Sequence, residues 1–174
     1  MKKINSYLTF RLKGELFAIG VEKVLEIIET SEEHAITALP KAPETIQGVV
    51  NFRGNVIPVV NTRKKFDLEE YAENEKHVVM VLNLTIGGVE QVIGAMADKV
   101  VDVIEIDKEQ IQSVPEVGKG YDSDYIAGVV FRNDNFIMLL DIEAAIDSAE
   151  IVQLRKEEEA DENEGDEVVV EETE

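Results

Sequence analysis

Residues that could carry out catalysis or hold a metal ion are few in this sequence, and their spacing forms no catalytic motif. The two histidines, His34 and His77, lie in separate segments, and neither belongs to an H-x-x-x-H or H-x-x-E-H pattern. Cysteine is absent, which excludes a disulfide, a thiolate metal site and a cysteine nucleophile. No G-x-S-x-G motif is present either. The sequence therefore predicts a protein that is not an enzyme and needs no metal or other cofactor.

Three carboxylates, Asp98, Asp102 and Glu105, are the remaining candidates, because paired carboxylates can act as general acid and base. They fall in or beside segment 100–106, where apolar and polar residues alternate as in a half-buried β-strand. Alternate residues of a strand share one face, so a solvated strand face explains these carboxylates better than a catalytic pair. A small-ligand-binding β-barrel or an enzyme would need a polar, convergent pocket, and the sequence offers no suitable residue set.

The clearest recognition group is Arg53, in the stretch I-Q-G-V-V-N-F-R-G-N-V-I-P-V-V-N at positions 46–61. Apolar β-branched runs flank a short polar tip, and Gly54 can adopt positive φ there, so the stretch predicts a β-hairpin. An arginine on a rigid turn can present one permanent charge to a partner. From the residues alone, an ordinary solvated turn arginine remains an open alternative.

A short basic run follows this hairpin. Arg63, Lys64 and Lys65 fall in a predicted helical turn for which Asn61 is a suitable N-cap. Together with Arg53 they are the main basic cluster of an acidic protein. The cluster is either part of a recognition surface or a solvated face.

The charge balance limits the classes of partner. The net charge is −20, and much of it lies in residues 150–174, which are rich in Asp and Glu. Nucleic acid and anionic membrane surfaces are poor partners for such a chain, because phosphate binding requires a basic patch. No apolar run approaches the roughly 18 residues of a membrane span, and the first residues do not resemble a signal peptide. We therefore expect a cytoplasmic protein without membrane insertion.

Hydrophobic patterning predicts an all-β protein of nine or ten short strands joined by hairpin-like connections, forming one or two small barrels. Residues 77–84 are almost continuously apolar, as in a strand buried on both faces. Pro58 lies inside a predicted strand, which should be an edge strand or be bulged there. Segment 21–29 predicts a helical turn that passes into a strand. One terminal amphipathic helix is expected from the spacing of Ile142, Ala145, Ile146 and Ala149.

The chain resembles the CheW-like chemotaxis coupling proteins in the order and spacing of many blocks. The strongest match is the stretch 46–61, including N-x-R-G at Arg53. The other matching blocks lie at 7–12, 17–19, 21–27, 39–43, 93–100, 125–128 and 139–142. The departures are Asn61-Thr62-Arg63 in place of the family's more usual Asp-Leu-Arg, and a long acidic tail.

The resemblance implies a domain over residues 6–154 that consists of two five-stranded, SH3-like β-barrel subdomains and a C-terminal α-helix. Residues 155–174 would then be a disordered acidic tail. It also implies a non-enzymatic adaptor that joins the cytoplasmic tip of chemoreceptors to the regulatory domain of the histidine kinase CheA within receptor arrays. An adaptor of the same fold in another kinase cascade is the alternative.

The resemblance also assigns contact residues. The receptor-binding positions, on the first barrel, the hairpin and the second barrel in turn, are Val21, Val24 and Glu26, then Gly48, Asn51, Arg53 and Gly54, then Gly94 and Val103. The kinase-binding positions are Ile57, Val59 and Val60 on the first barrel, together with an opposite surface on the second barrel. An apolar groove between the barrels would receive a receptor helix, with Arg53 at its polar edge.

Overall fold

Ten β-strands make up most of the structure, a computed structural model that describes residues 3–30, 35–114 and 125–146. The strands are β1 (Ile4–Leu12), β2 (Glu15–Gly20), β3 (Val24–Glu29), β4 (Ile46–Phe52), β5 (Asn55–Val60), β6 (Val78–Ile86), β7 (Val89–Ala97), β8 (Lys99–Asp107), β9 (Ile126–Arg132) and β10 (Asn135–Leu140). The helices are α1 (Thr62–Lys65) and α2 (Ile142–Ala145), and two 3₁₀ turns cover Val21–Lys23 and Lys108–Gln110.

Two-residue turns close the hairpins β1–β2, β4–β5, β6–β7 and β9–β10. In each turn both residues have positive φ, at positions 13–14, 53–54, 87–88 and 133–134. This geometry matches the right-handed twist of the paired strands, and glycine, asparagine and aspartate adopt it most easily. The short turns fix the register of every hairpin.

The strands form two five-stranded sheets. The sheet that we call the first barrel has the order β3-β6-β7-β5-β4, and the second barrel has the order β8-β1-β2-β10-β9. In each barrel two hairpins meet through a parallel pair, β5 with β7 and β10 with β2. The two five-stranded sheets expected from the sequence are confirmed.

Segments 46–66 and 126–146 repeat the same local structure without a gap, so that Gly48 corresponds to Gly128. Both begin with I-x-G-V-V, both form a hairpin, and both continue into a helix with an N-cap side chain. In each segment, the valine directly after the glycine forms an isolated β-bridge. Val49 pairs with Thr37, and Val129 pairs with Gln112. The two barrels are therefore built from a repeated unit.

Each barrel combines strands from both halves of the chain. The first barrel contains β3, β4 and β5 but takes the hairpin β6–β7 from the second half. The second barrel contains β8, β9 and β10 but takes the hairpin β1–β2 from the first half. The chain passes between barrels at residues 21–23 and at Asp98, so neither barrel is complete without the other half.

Buried apolar side chains form three clusters, one inside each barrel and the largest between the barrels. Phe10, Phe17 and Phe66 stack in the shared cluster, with ring centroids 6.0 and 6.2 Å apart. Strand β6 contributes alternately to the shared cluster and to the interior of the first barrel, which confirms the strand buried on both faces. The shared cluster holds the two barrels together.

The structure also tests the predictions for residues 21–29, for Pro58 and for the terminal helix. Residues 21–29 do form a 3₁₀ turn followed by a strand. Strand β5 pairs on both sides, but its pairing with β7 begins at Val59, so Pro58 has a strand partner on one side only. The terminal helix starts after its N-cap Asp141. Ala149 and the acidic tail lie outside the described residues.

Gly48→Ala should destabilise the fold strongly. A Cβ atom at Gly48 would lie 2.1 Å from the Thr37 carbonyl oxygen, whereas a Cβ at Gly54 would meet nothing within 4 Å. Overpacking and backbone strain together should lower the free energy of unfolding of Gly48→Ala by about 3 kcal/mol or more. The control Gly54→Ala carries only left-handed strain of about 1–2 kcal/mol. Equal losses in urea unfolding would contradict the close approach of Thr37.

Candidate functional site

Arg53 lies at the tip of the β4–β5 hairpin, with its side chain 70% exposed. Its own φ is 51°, and the Asn51 carboxamide oxygen accepts a hydrogen bond from the Gly54 amide at 3.0 Å, which ties the turn together. One guanidinium nitrogen lies 3.7 Å from a Glu26 carboxylate oxygen. The guanidinium carbon lies 4.8 Å from the centre of the Phe52 ring. The charge is thus held in place but remains open to a partner.

A groove of about 380 Å³ lies beside Arg53, between the outer strands of the first barrel. Residues 26–29 of β3 form one wall, and the end of β4 with the turn residue Arg53, residues 51–53, forms the other. The groove exists because β3 and β4 are the two ends of the sheet and do not pair with each other. The corresponding gap in the second barrel is bridged, since Arg132 donates a hydrogen bond to the Glu105 carbonyl at 2.8 Å.

The apolar residues among the predicted receptor positions lie outside the lining of the groove, whose own apolar residues are Ile27, Ile28 and Phe52. Val21 and Val24 are half-buried, and Val24 packs against the shared cluster. Leu25 in β3 is exposed, and so is Val103, with 51% of its surface accessible. Val103 belongs to the second barrel, where it pairs with Leu8 of β1. The predicted receptor positions therefore include accessible apolar surface on both barrels.

Two predicted receptor positions are buried glycines. Gly48 faces the Thr37 carbonyl, as described above. A Cβ at Gly94 would lie 2.7 Å from a Val79 methyl group and 3.2 Å from one of Val59. Gly94 also lies on β7, hence in the first barrel and not in the second, because the β6–β7 hairpin crosses over. Both glycines allow close packing and offer no side chain to a partner.

The predicted kinase-binding positions Ile57, Val59 and Val60 are buried in the cores. A kinase therefore cannot contact these side chains directly, and the assignment needs correction on this point. Their inward orientation follows from the register of β5, whose exposed apolar residue is Val56. The three residues support the strand that forms the hairpin.

An exposed aromatic pair on the second barrel was not predicted from the sequence. Phe131 and Phe136 pair across the β9–β10 hairpin, with ring centroids 4.9 Å apart and exposed fractions of 57% and 64%. They occupy the positions equivalent to Asn51 and Val56 of the first hairpin. Two phenylalanines on opposite sides of a predicted turn were the available signal, since cross-strand partners share one face.

The predicted basic cluster does not exist as a surface. The Arg63 side chain is only 2% exposed, and it points into a network of acidic partners. Its guanidinium hydrogen-bonds Glu75 twice, at 2.9 and 3.1 Å, and approaches both carboxylate oxygens of Asp98, at 2.7 and 3.0 Å. The same group lies 3.8 Å from the centre of the Tyr71 ring. Arg63 is therefore a structural residue.

The Arg63 network joins separate parts of the chain. Asp98 also accepts hydrogen bonds from the Tyr71 hydroxyl at 2.8 Å and from the Lys13 amide at 2.8 Å. Burial opposes the charged forms, but the hydrogen bonds outweigh it, so the pKa of Arg63 is raised and the pKa of Asp98 is lowered. The Arg63 hydrogen bond and the Ala72 amide likewise lower the pKa of Glu75.

The other polar candidates show no convergent arrangement. Asp102 accepts a hydrogen bond from the Val103 amide, and Glu105 contributes its carbonyl to Arg132. His77 contacts the Glu75 carbonyl at 3.3 Å, whereas His34 lies outside the described residues. Within the described ranges, no three His, Cys, Asp or Glu residues are grouped to hold a metal ion. In the same part of the chain, no helix is long and apolar enough to cross a membrane.

Thr62 shows how the departure from the Asp-Leu-Arg pattern is accommodated. Its side chain is buried, and its hydroxyl donates a hydrogen bond to the Met96 carbonyl. Asn61 accepts a hydrogen bond from the Lys64 amide at 3.2 Å and so caps α1, as its residue type predicted. A buried polar group with a partner costs little, so the substitution is compatible with the fold.

Comparisons with known proteins agree over both barrels. A family model described as CheW-like domain matches residues 6–150. The chain is 30% identical to the chemotaxis protein CheW of Treponema pallidum over 150 residues, and 32% identical to that of Klebsiella aerogenes over 147 residues, with 84% of each chain covered in both cases. The solved structure of the scaffolding protein TtCheW from Thermoanaerobacter tengcongensis is similar with a TM-score of 0.70 and 26% identity, covering 82% of this chain and 88% of that one.

Arg63→Met should cost about 3 kcal/mol of stability near neutral pH, because it leaves the mostly buried Asp98 charge without its partner. The lowered pKa values of Asp98 and Glu75 stabilise the folded state fully above about pH 4, and this contribution is lost as the pH falls through their folded-state values. Urea unfolding between pH 7 and pH 3 should therefore show a smaller acid-induced loss in Arg63→Met.

Lys64→Met is the matched control in the same helix. Lys64 makes one long ion pair at 3.7 Å with Glu70, whose side chain is largely exposed, and such a pair is worth about 1 kcal/mol or less. A pH dependence of Arg63→Met equal to that of the original chain would show that the network does not hold these carboxylates in their charged forms.

Proposed function

Since the chain belongs to the family of CheW-like domains and is a chemotaxis scaffold of that family, we propose that it joins the cytoplasmic tip of chemoreceptors to the regulatory domain of the histidine kinase CheA. It acts by binding and not by catalysis. The observation that carries this proposal is the groove of the first barrel, with Arg53 exposed at its edge and apolar side chains around it.

Receptor docking would use the groove as a site for a helix. Apolar side chains of a receptor helix would cover Val24, Leu25 and Val103, and Arg53 would bind a receptor carboxylate or carbonyl that fixes the register. The Arg53–Glu26 pair is largely exposed, so replacing Glu26 by a receptor carboxylate would cost little. Gly48, Asn51, Gly54 and Gly94 would then act mainly by shaping the strands and the turn.

Kinase docking would use exposed apolar side chains other than the residues that line this groove. The exposed Phe131–Phe136 pair is the best-supported candidate for the second-barrel surface, because clustered aromatic residues often carry most of the energy of an interface. On the first barrel, Val56 is exposed, and we propose it as the kinase contact instead of its buried neighbours Ile57, Val59 and Val60. Two such surfaces would let the domain alternate with kinase domains in rings, where many weak contacts add through avidity.

The proposal extends to the organisation and location of the chain. Residues 6–154 would be the docking domain, and residues 155–174 would be a disordered acidic segment that follows it. The protein would act in the cytoplasm and be recruited to membrane-bound receptor arrays through its receptor contact. Neither nucleic acid nor direct membrane insertion is part of this function.

Arg53→Glu should weaken binding to a purified receptor cytoplasmic fragment about tenfold, because it places a like charge beside Glu26 and removes the group proposed to fix the register. Urea unfolding should change by less than about 1 kcal/mol, since the side chain is exposed. Lys108→Glu, the same charge change on an exposed residue of the second barrel, is the control. Equal affinities of the two variants, measured by titration calorimetry, would remove Arg53 from the receptor site.

Phe131→Ser combined with Phe136→Ser should weaken binding of the CheA regulatory domain about tenfold or more, because the pair would lose its buried contact area. Receptor binding by the same variant should stay unchanged. Val89→Ser, at an exposed apolar residue of the first barrel, controls for general loss of surface hydrophobicity. Kinase affinity at the level of the control would exclude the aromatic pair from this interface.

A further inference from the structure

Two ion pairs occupy equivalent places in the repeated units, with their charges reversed. Arg63 of α1 pairs with Asp98, where the chain passes from β7 to β8. Glu143 of α2 pairs with Lys23 at 2.9 Å, where the chain passes from β2 to β3. Arg63 and Glu143 are equivalent positions of the aligned segments 46–66 and 126–146. Each pair thus ties a helix to the point where a hairpin crosses to the other barrel.

The two pairs differ in how firmly they are held. Arg63 is almost fully buried and has additional partners in Glu75 and Tyr71. The side chains of Lys23 and Glu143 keep 28% and 32% of their surface exposed. Within the described residues, neither side chain makes a polar contact other than this ion pair. Partial exposure makes such a pair weak enough to open. The first pair is a fixed part of the fold, and the second can be a labile one.

The labile pair lies at the base of the groove wall. Lys23 ends the 3₁₀ turn between Val21 and Val24, and β3 follows directly with Glu26, which lines the groove. No residue of this turn is buried, and its N-cap Gly20 provides no side-chain hydrogen bond. Within the described residues, the Lys23–Glu143 ion pair is therefore the one polar side-chain contact that ties this turn to α2.

We propose that the Lys23–Glu143 ion pair is a positioning latch, which fixes the β3 wall of the groove against α2 and thereby keeps the groove ready to bind. The proposal rests on the assignment of this groove to receptor binding. Opening the latch frees the start of β3, so a partner must restore its position on binding and loses affinity. Neither residue needs to touch the partner for this effect.

Reversal of the charges tests the latch. Lys23→Glu and Glu143→Lys should each weaken binding of a receptor cytoplasmic fragment about threefold to fivefold, because each places like charges together. The double variant Lys23→Glu/Glu143→Lys restores an opposite pair and should bind within about twofold of the original chain. Glu69→Lys breaks the exposed Lys13–Glu69 pair with the same charge change as Glu143→Lys, and should leave binding unchanged.

Hydrogen exchange of the free protein gives a readout that needs no receptor. Amides at the start of β3, residues 24–26, should exchange faster in each single variant and return to the original rate in the double variant. Exchange that changes as expected, without receptor binding by any form, would refute the proposed function and leave the latch intact. A double variant no better than the single ones in both measurements would overturn the latch.

Discussion

The shared apolar cluster between the barrels is the interaction on which the rest of the structure depends. Each barrel lacks two of its five strands until the other half of the chain supplies a hairpin. The stacked rings of Phe10, Phe17 and Phe66 come from elements of both barrels and meet in this cluster. Because the hairpins are exchanged, packing that cluster completes both barrels at once and fixes their relative orientation. The surfaces on the two barrels are therefore held at a constant separation, as a scaffold requires.

Polar interactions stabilise the two points at which the chain crosses from one barrel to the other. The buried Arg63 network closes one crossing point with hydrogen bonds from three separate segments, and the partly exposed Lys23–Glu143 pair closes the other. This asymmetry has a counterpart at the barrel edges. Arg132 bridges the gap in the second barrel, whereas the equivalent Phe52 leaves a groove open in the first. The two copies of the repeated unit thus differ in opposite ways, because the first has the buried network and the open groove, and the second has the partly exposed ion pair and the bridged gap.

Much of the fold could be predicted from the sequence, because residue types set the local structure of several elements. Short-range sequence patterns predicted three features. These are the hairpin at Arg53 and Gly54, the N-cap at Asn61, and the strand β6 that is buried on both faces. Other features depend on strand register and on the exchange of hairpins between the barrels. These are the inward orientation of Ile57, Val59 and Val60, the burial of Arg63, and the placement of Gly94 in the first barrel. Those features come from partners distant in the chain, and a basic run such as Arg63-Lys64-Lys65 does not reveal which of its members turns inward.

We propose that this chain couples a receptor to a kinase and carries out no catalysis of its own. The most direct measurement is the rate of CheA autophosphorylation in the presence of receptor cytoplasmic fragments on vesicles, with and without the purified chain. We expect the autophosphorylation rate to respond to the receptor only when the chain is present, and the chain alone with the kinase to leave the rate unchanged. A kinase rate that is the same with and without the chain, under conditions where all three proteins sediment together, would contradict it.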